Sequence, residues 1–116
     1  MKYELEQLLE ELKGKFKDIE QTLDVQSLKK ELQELDKEMS ASDFWEDQKR
    51  AKEILQKRKY LEETLKKFEE IKSSLEGLAE ILEETGETDL ENLALLEEEL
   101  KNLQQEINKL EVKTYL

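Results

Sequence analysis

Apolar residues recur three and four positions apart in four blocks of this chain, and polar residues fill most of the space between them. That spacing gives a helix one buried stripe. In the first block the stripe is Leu5, Leu8/Leu9, Leu12, Phe16, Ile19 and Leu23, which predicts a helix over 2–22. Gly14 falls off the stripe and costs about 1 kcal/mol relative to alanine, so packing holds the helix together there or it kinks slightly. Leu28, Leu32, Leu35 and Met39 predict a second helix over 25–39. Asp24 is its candidate N-cap, with Leu23 and Leu28 placed as a hydrophobic staple. So tight a joint predicts that the first two helices run antiparallel.

The third block is the longest, 47–84, with a seam of Ala51, Ile54/Leu55, Arg58, Leu61, Leu65, Phe68, Ile71, Leu75, Leu78 and Leu82. As one helix it spans about 55–60 Å, whereas a compact 100-residue domain has a radius of gyration of about 13 Å. Gly86 marks a turn, and Thr88 with Glu91 forms a candidate capping box. The fourth helix, 89–112, carries Leu90, Leu93, Leu96, Leu100, Leu103, Ile107 and Leu110. A connection this short folds the third and fourth helices back as a hairpin. The expected fold is all-α: one elongated helical domain over 1–116, built on a long antiparallel coiled-coil hairpin with the first two helices along part of it.

Composition supports helices over sheets. Leucine contributes 22 residues, and valine and isoleucine together only seven. Leu, Glu and Lys favour helix, while β-branched residues are scarce. The absence of cysteine and histidine excludes disulfides, thiol chemistry, the usual zinc ligand sets and every Ser–His or Cys–His nucleophile. Carboxylate pairs such as Glu76–Glu80, Glu80–Glu83 and Glu80–Glu84 have no cleft to desolvate them and read as solvated faces. No catalytic residue, metal site or cofactor site is expected. The longest uninterrupted apolar stretch, Leu93 to Leu96, is far short of the roughly 18 residues a membrane span needs.

Two features depart from a plain acidic rod with a net charge of −12. Lys49, Arg50, Lys52, Lys57, Arg58 and Lys59 cluster against a single acid, Glu53. Three of these cations open the long helix, where the macrodipole disfavours positive charge by about 0.3–1 kcal/mol each. Pairing with acidic faces of neighbouring helices explains the run; contact with RNA phosphates or an acidic protein is the functional alternative. Arg58 lies on the seam itself and is expected to snorkel or set register. The net charge argues against free nucleic-acid binding. The second feature is Ser40-Ala41-Ser42-Asp43-Phe44-Trp45-Glu46-Asp47, the only cluster of cap-forming and large aromatic residues. Asp43 with Glu46, or Asp47, is placed to cap the long helix. Phe44 and Trp45 are expected to form an aromatic plug closing one end of the bundle, with the indole N–H on a backbone acceptor; an exposed partner site is the alternative.

The segment Asp43-Phe44-Trp45-Glu46-Asp47, Ala51 four residues later and the leucine seam beyond resemble the N-terminal domain of the bacterial peptide chain release factor 2 family. The likeness extends in order and spacing over essentially the whole chain, to Glu111-Val112-Lys113-Thr114-Tyr115-Leu116. Ser42 departs from a proline common in that family. The resemblance implies a cytoplasmic, non-catalytic helical arm at the start of a longer chain. It implies a ribosome partner, at the stalk base and GTPase-associated centre of the large subunit, with release factor 3 within reach. The family's Gly-Gly-Gln and Ser-Pro-Phe motifs are absent: the chain has no Gly-Gly and no proline. The basic run is the candidate contact, and uncovered seams give an isolated arm a route to self-association. The rival reading is a free-standing helical scaffold or prefoldin-like chaperone subunit. A tRNA-binding arm is disfavoured by the charge.

Overall fold

Polar side chains set the helix boundaries in the computed structural model, which describes residues 1–116. The elements are α1 (Lys2–Leu23), α2 (Val25–Met39), a one-turn 3₁₀ helix at Phe44–Glu46, α3 (Gln48–Glu84) and α4 (Leu90–Tyr115). Asp24 ends α1 and caps α2. It sits in the left-handed region at φ 49° and accepts hydrogen bonds from the Ser27 N–H at 3.3 Å and the Ser27 hydroxyl at 2.7 Å. Aspartate tolerates that conformation because its short side chain bonds locally. Asp47, rather than Asp43, caps α3, accepting from the Arg50 N–H at 3.1 Å. At α4 the cap is Asp89, accepting from the Asn92 N–H at 3.3 Å, one residue beyond the expected Thr88. The same carboxylate accepts from the Asn92 side-chain amide at 2.7 Å, a second bond that favours Asp89 as the cap. Gly14 leaves α1 unbroken, and α4 runs three residues past the expected 112.

Contacts along α3 give the direction of every other helix. Lys2 reaches the Glu83 carbonyl and Phe16 stacks on Phe68 at 4.8 Å, so α1 runs opposite to α3. Lys67 pairs with Glu106, and Lys113 lies over the Tyr60 ring, so α4 also runs opposite to α3. Lys29 pairs with Glu69 and Glu38 with Arg50, which makes α2 antiparallel to α3 as well. The expected antiparallel pairing of α1 with α2 is therefore wrong. The left-handed residue at Asp24 steps the chain sideways without reversing it, and α1 and α2 follow one another down α3 in the same sense. The staple spacing of Leu23 and Leu28 fixed a tight joint but not its angle.

The result is a rod with extents of 64 × 22 × 18 Å and a radius of gyration of 19.0 Å. At the hairpin end α1, α3 and α4 enclose a core of 15 buried residues, among them Phe16, Phe68, Ile71, Leu82, Leu93, Leu100 and Ile107. The other end is thinner. There α2 and the start of α3 share a core of five: Leu35, Phe44, Ala51, Ile54 and Leu61, with Leu28, Leu32 and Met39 packed on it. No third helix covers α3 at this end, and the basic run lies here.

Candidate functional site

A 3₁₀ turn advances about 120° per residue, so adjacent aromatics in it cannot both face inward. Phe44 takes the inner position and is 8% exposed, while Trp45 is 64% exposed and meets Phe44 only edge-on, with ring centroids 4.8 Å apart. The expected plug is corrected accordingly: Phe44 alone closes the thin end, and Trp45 stands in solvent with no backbone acceptor for its indole N–H. Leu55, expected in the seam beside Ile54, likewise turns outward and is 36% exposed, because Ile54 occupies the position facing α2.

The structure divides the basic run in two. Arg50 donates to Glu38 at 2.8 Å, and Lys57 pairs with Glu31 at 2.6 Å. Arg58 bridges α2 and α3, donating to Asp36 and Glu62 at 2.6 Å each. The carboxylate bonded to each raises the pKa of Lys57 and of Arg58 above their ordinary values, Glu31 for the first and Asp36 for the second. These three cations fasten α2 to α3 and set their register. Lys49, Lys52 and Lys59 form no ion pair. Lys52 and Lys59 lie on the side of α3 away from α2, although the chain carries 31 acidic residues.

Lys52 and Lys59 border a shallow groove of about 530 Å³ on the back of α3, lined also by Trp45, Ala51, Leu55, Gln48 and Gln56. Sequence reasoning missed one further member of this face. Lys66 stands seven residues after Lys59, as Lys59 does after Lys52, so the three form a line along one side of the helix at intervals of about 10.5 Å. It too lacks an ion pair, and it opens onto the α3–α4 cleft lined by Lys109 and Lys113. The seven-residue interval was visible in the sequence but was hidden by reading the charges as a contiguous run. Glu63 lies beside Lys66 on this line, so the local field is mixed there, whereas Glu53 lines the α2–α3 cleft with Arg50 and Lys57.

Nothing at this face is arranged for covalent chemistry. Its groups are an indole, aliphatic side chains, amides and ammonium groups, and no cluster of three or more His, Cys, Asp or Glu side chains could hold a metal ion. Glu76, Glu80, Glu83 and Glu84 are exposed. No helix is long and apolar enough to cross a membrane. The face can bind a partner by apolar burial and long-range attraction.

Comparison with known proteins agrees with the release factor 2 resemblance. The chain is 36% identical over 115 residues to peptide chain release factor 2 of Nitratiruptor sp., covering 98% of this chain and 31% of that protein. It is 31% identical over 116 residues to peptide chain release factor 2 of Petrotoga mobilis, covering all of this chain and 31% of the relative. Over 74 residues it is 43% identical to the Thermosipho melanesiensis protein of the same name, covering 64% of this chain and 20% of that one. The chain thus spans about a third of the length of these relatives. No solved structure matches it. The PCRF domain matches residues 28–116, which takes in most of α2, the aromatic turn and the whole α3–α4 hairpin, and the chain belongs to that family.

Proposed function

We propose that this chain is the N-terminal helical arm of a translation termination factor of the release factor 2 type, a single stiff domain without catalysis of its own. The observation that carries this reading is the PCRF domain match across a rod whose ionisable groups pair, cap or face solvent. On this reading the arm lies at the stalk base and GTPase-associated centre of the large ribosomal subunit, with release factor 3 as a neighbour, and acts in the cytoplasm. Codon reading and peptide release belong to further domains. A rod 64 Å long, with the single helix α3 running through both of its ends, suits such a lever.

The reading frame beyond Leu116 tests the assignment: it is expected to encode a Gly-Gly-Gln motif within a couple of hundred residues, and its absence overturns the proposal. The face is tested by charge reversal. Lys49, Lys52 and Lys59, changed together to Glu in the full-length factor, are expected to weaken ribosome association by about tenfold or more, with the helical circular dichroism unchanged. Unaltered association removes the face from the contact. Reversing Lys57 and Arg58 is a poorer test, because both hold α2 in place.

A further inference from the structure

We propose that the groove on the back of α3, between Trp45 and Lys59, receives an acidic amphipathic helix of a protein partner rather than RNA. The inference rests on the reading of this face as a ribosome-contacting surface and names the chemistry of what meets it. The floor of the groove is apolar: Trp45, Ala51 and Leu55 lie along it, with Gln48 and Gln56 between. Exposure of the one tryptophan together with an outward leucine is costly in water, and covering both is favourable. The rim is cationic. Lys52 and Lys59, and Lys66 beyond them, recur every seven residues without an ion pair, whereas Arg50, Lys57, Arg58 and Lys67 on the other sides of the same helix each have one.

A helix lying along α3 repeats its own side chains at the same interval of about 10.5 Å. Acidic residues one heptad apart on that helix meet the lysines in turn, while its apolar stripe covers Leu55 and Trp45. Such packing completes at the thin end the three-helix cross-section that α1 and α4 provide at the other. RNA fits less well. Its phosphates need a continuously positive track, whereas Glu63 lies beside Lys66 on this one and the whole chain carries −12. A single indole also offers one stacking platform where single-strand binders use several.

The experiment uses the fluorescence of Trp45, the only tryptophan in the chain. Three probes are titrated: a synthetic helix with leucine on its stripe and glutamate beside it, the same peptide with lysine for each glutamate, and an oligouridylate RNA. The expected result is a saturable blue shift with the acidic helix alone, weakened by added salt. Leu55→Gln, and separately Lys52→Glu with Lys59→Glu, are each expected to reduce affinity for that helix by about tenfold, with circular dichroism confirming that both variants fold. Equal binding of the two peptides, tighter binding of the RNA, or no response to any probe overturns the inference. These outcomes are independent of the ribosome assay. Loss of ribosome association on charge reversal combined with RNA preference here leaves the functional reading standing and removes only the protein partner. Acidic-helix binding without any ribosome effect does the opposite.

Discussion

The two ends of the rod are built from the same helix, yet they are held in different ways. At the hairpin end α3 is one of three helices around a core of 15 buried residues, and several of these, such as Ile107, Leu93 and Leu100, are wholly shielded from water. At the other end α3 has only α2 and the Phe44 turn, five buried residues, and three cations tying the helices together. Apolar burial scales with the area removed from water, and ion pairs open to solvent contribute little. The thick end therefore carries most of the stability, and the thin end opens first. The candidate binding face lies on that less stable end, where the missing third helix leaves α3 accessible.

The largest effect is expected from truncating the core at the thick end. Phe68 is 1% exposed and stacked on Phe16, so Phe68→Ala is expected to cost about 3–5 kcal/mol and to lower the denaturation midpoint of the whole chain. Leu35→Ala at the thin end falls near the lower limit of such substitutions, about 2 kcal/mol, because its cluster borders solvent. Hydrogen exchange separates the two. Leu35→Ala is expected to speed exchange in α2 and residues 48–58 and leave α4 protected, whereas Phe68→Ala lowers protection throughout. Equal loss in both variants would show that the ends unfold as one unit.

A middling effect is expected at the joint between the ends. Asp24 combines a left-handed backbone with the N-cap of α2. Asp24→Ala loses the cap bond, about 0.5–2 kcal/mol, and places alanine where the backbone disfavours a side chain that cannot bond locally. Asp24→Gly gives up the same bond but relieves the backbone, and is expected to cost only a few tenths of a kcal/mol. Thermal melts of the two variants test this. A glycine variant as unstable as the alanine one would mean that the hydrogen bond, not the backbone, governs the joint.

The ease with which each feature was read from the sequence follows the same division. Leucines at three- and four-residue spacing specified α3, α4 and the thick core, because a buried face imposes its period on the residues that form it. Where burial is partial the period blurs. Ile54 and Leu55 are adjacent and equally apolar, and only the position of α2 decides which turns inward. Phe44 and Trp45 posed the same problem inside a 3₁₀ turn, whose rotation cannot be read from residue types. The direction of α2 depended on one backbone angle at Asp24. Among the cations, sequence alone showed a cluster, but which of them pair depends on where Glu31, Asp36 and Glu38 fall across the α2–α3 interface. The separation of Lys52 and Lys59 from Lys57 and Arg58 is consequently a property of the packed rod.

The smallest expected effect is electrostatic and lies between the two ends, where Lys67 of α3 pairs with Glu106 of α4 at 3.1 Å. The hydrogen bond and charge of Lys67 hold the Glu106 carboxyl below its ordinary value, and Glu106 in turn raises the Lys67 ammonium. A carboxylate with a depressed folded pKa contributes stability above its unfolded value of about 4.3. That contribution is lost as pH falls through the lower folded value. Lys67 is exposed and Glu106 half-buried at the edge of the cleft, and solvent screens the pair, so it is worth about 0.2–1 kcal/mol at neutral pH, and less in high salt. Glu106→Gln is expected to lower stability by that amount at pH 7 and to converge on the parent chain in acid, where Glu106 is itself protonated. Denaturant titrations of both proteins across this range measure the difference directly. A gap that persisted unchanged at low pH would assign the effect of the substitution to packing in the α3–α4 cleft rather than to charge.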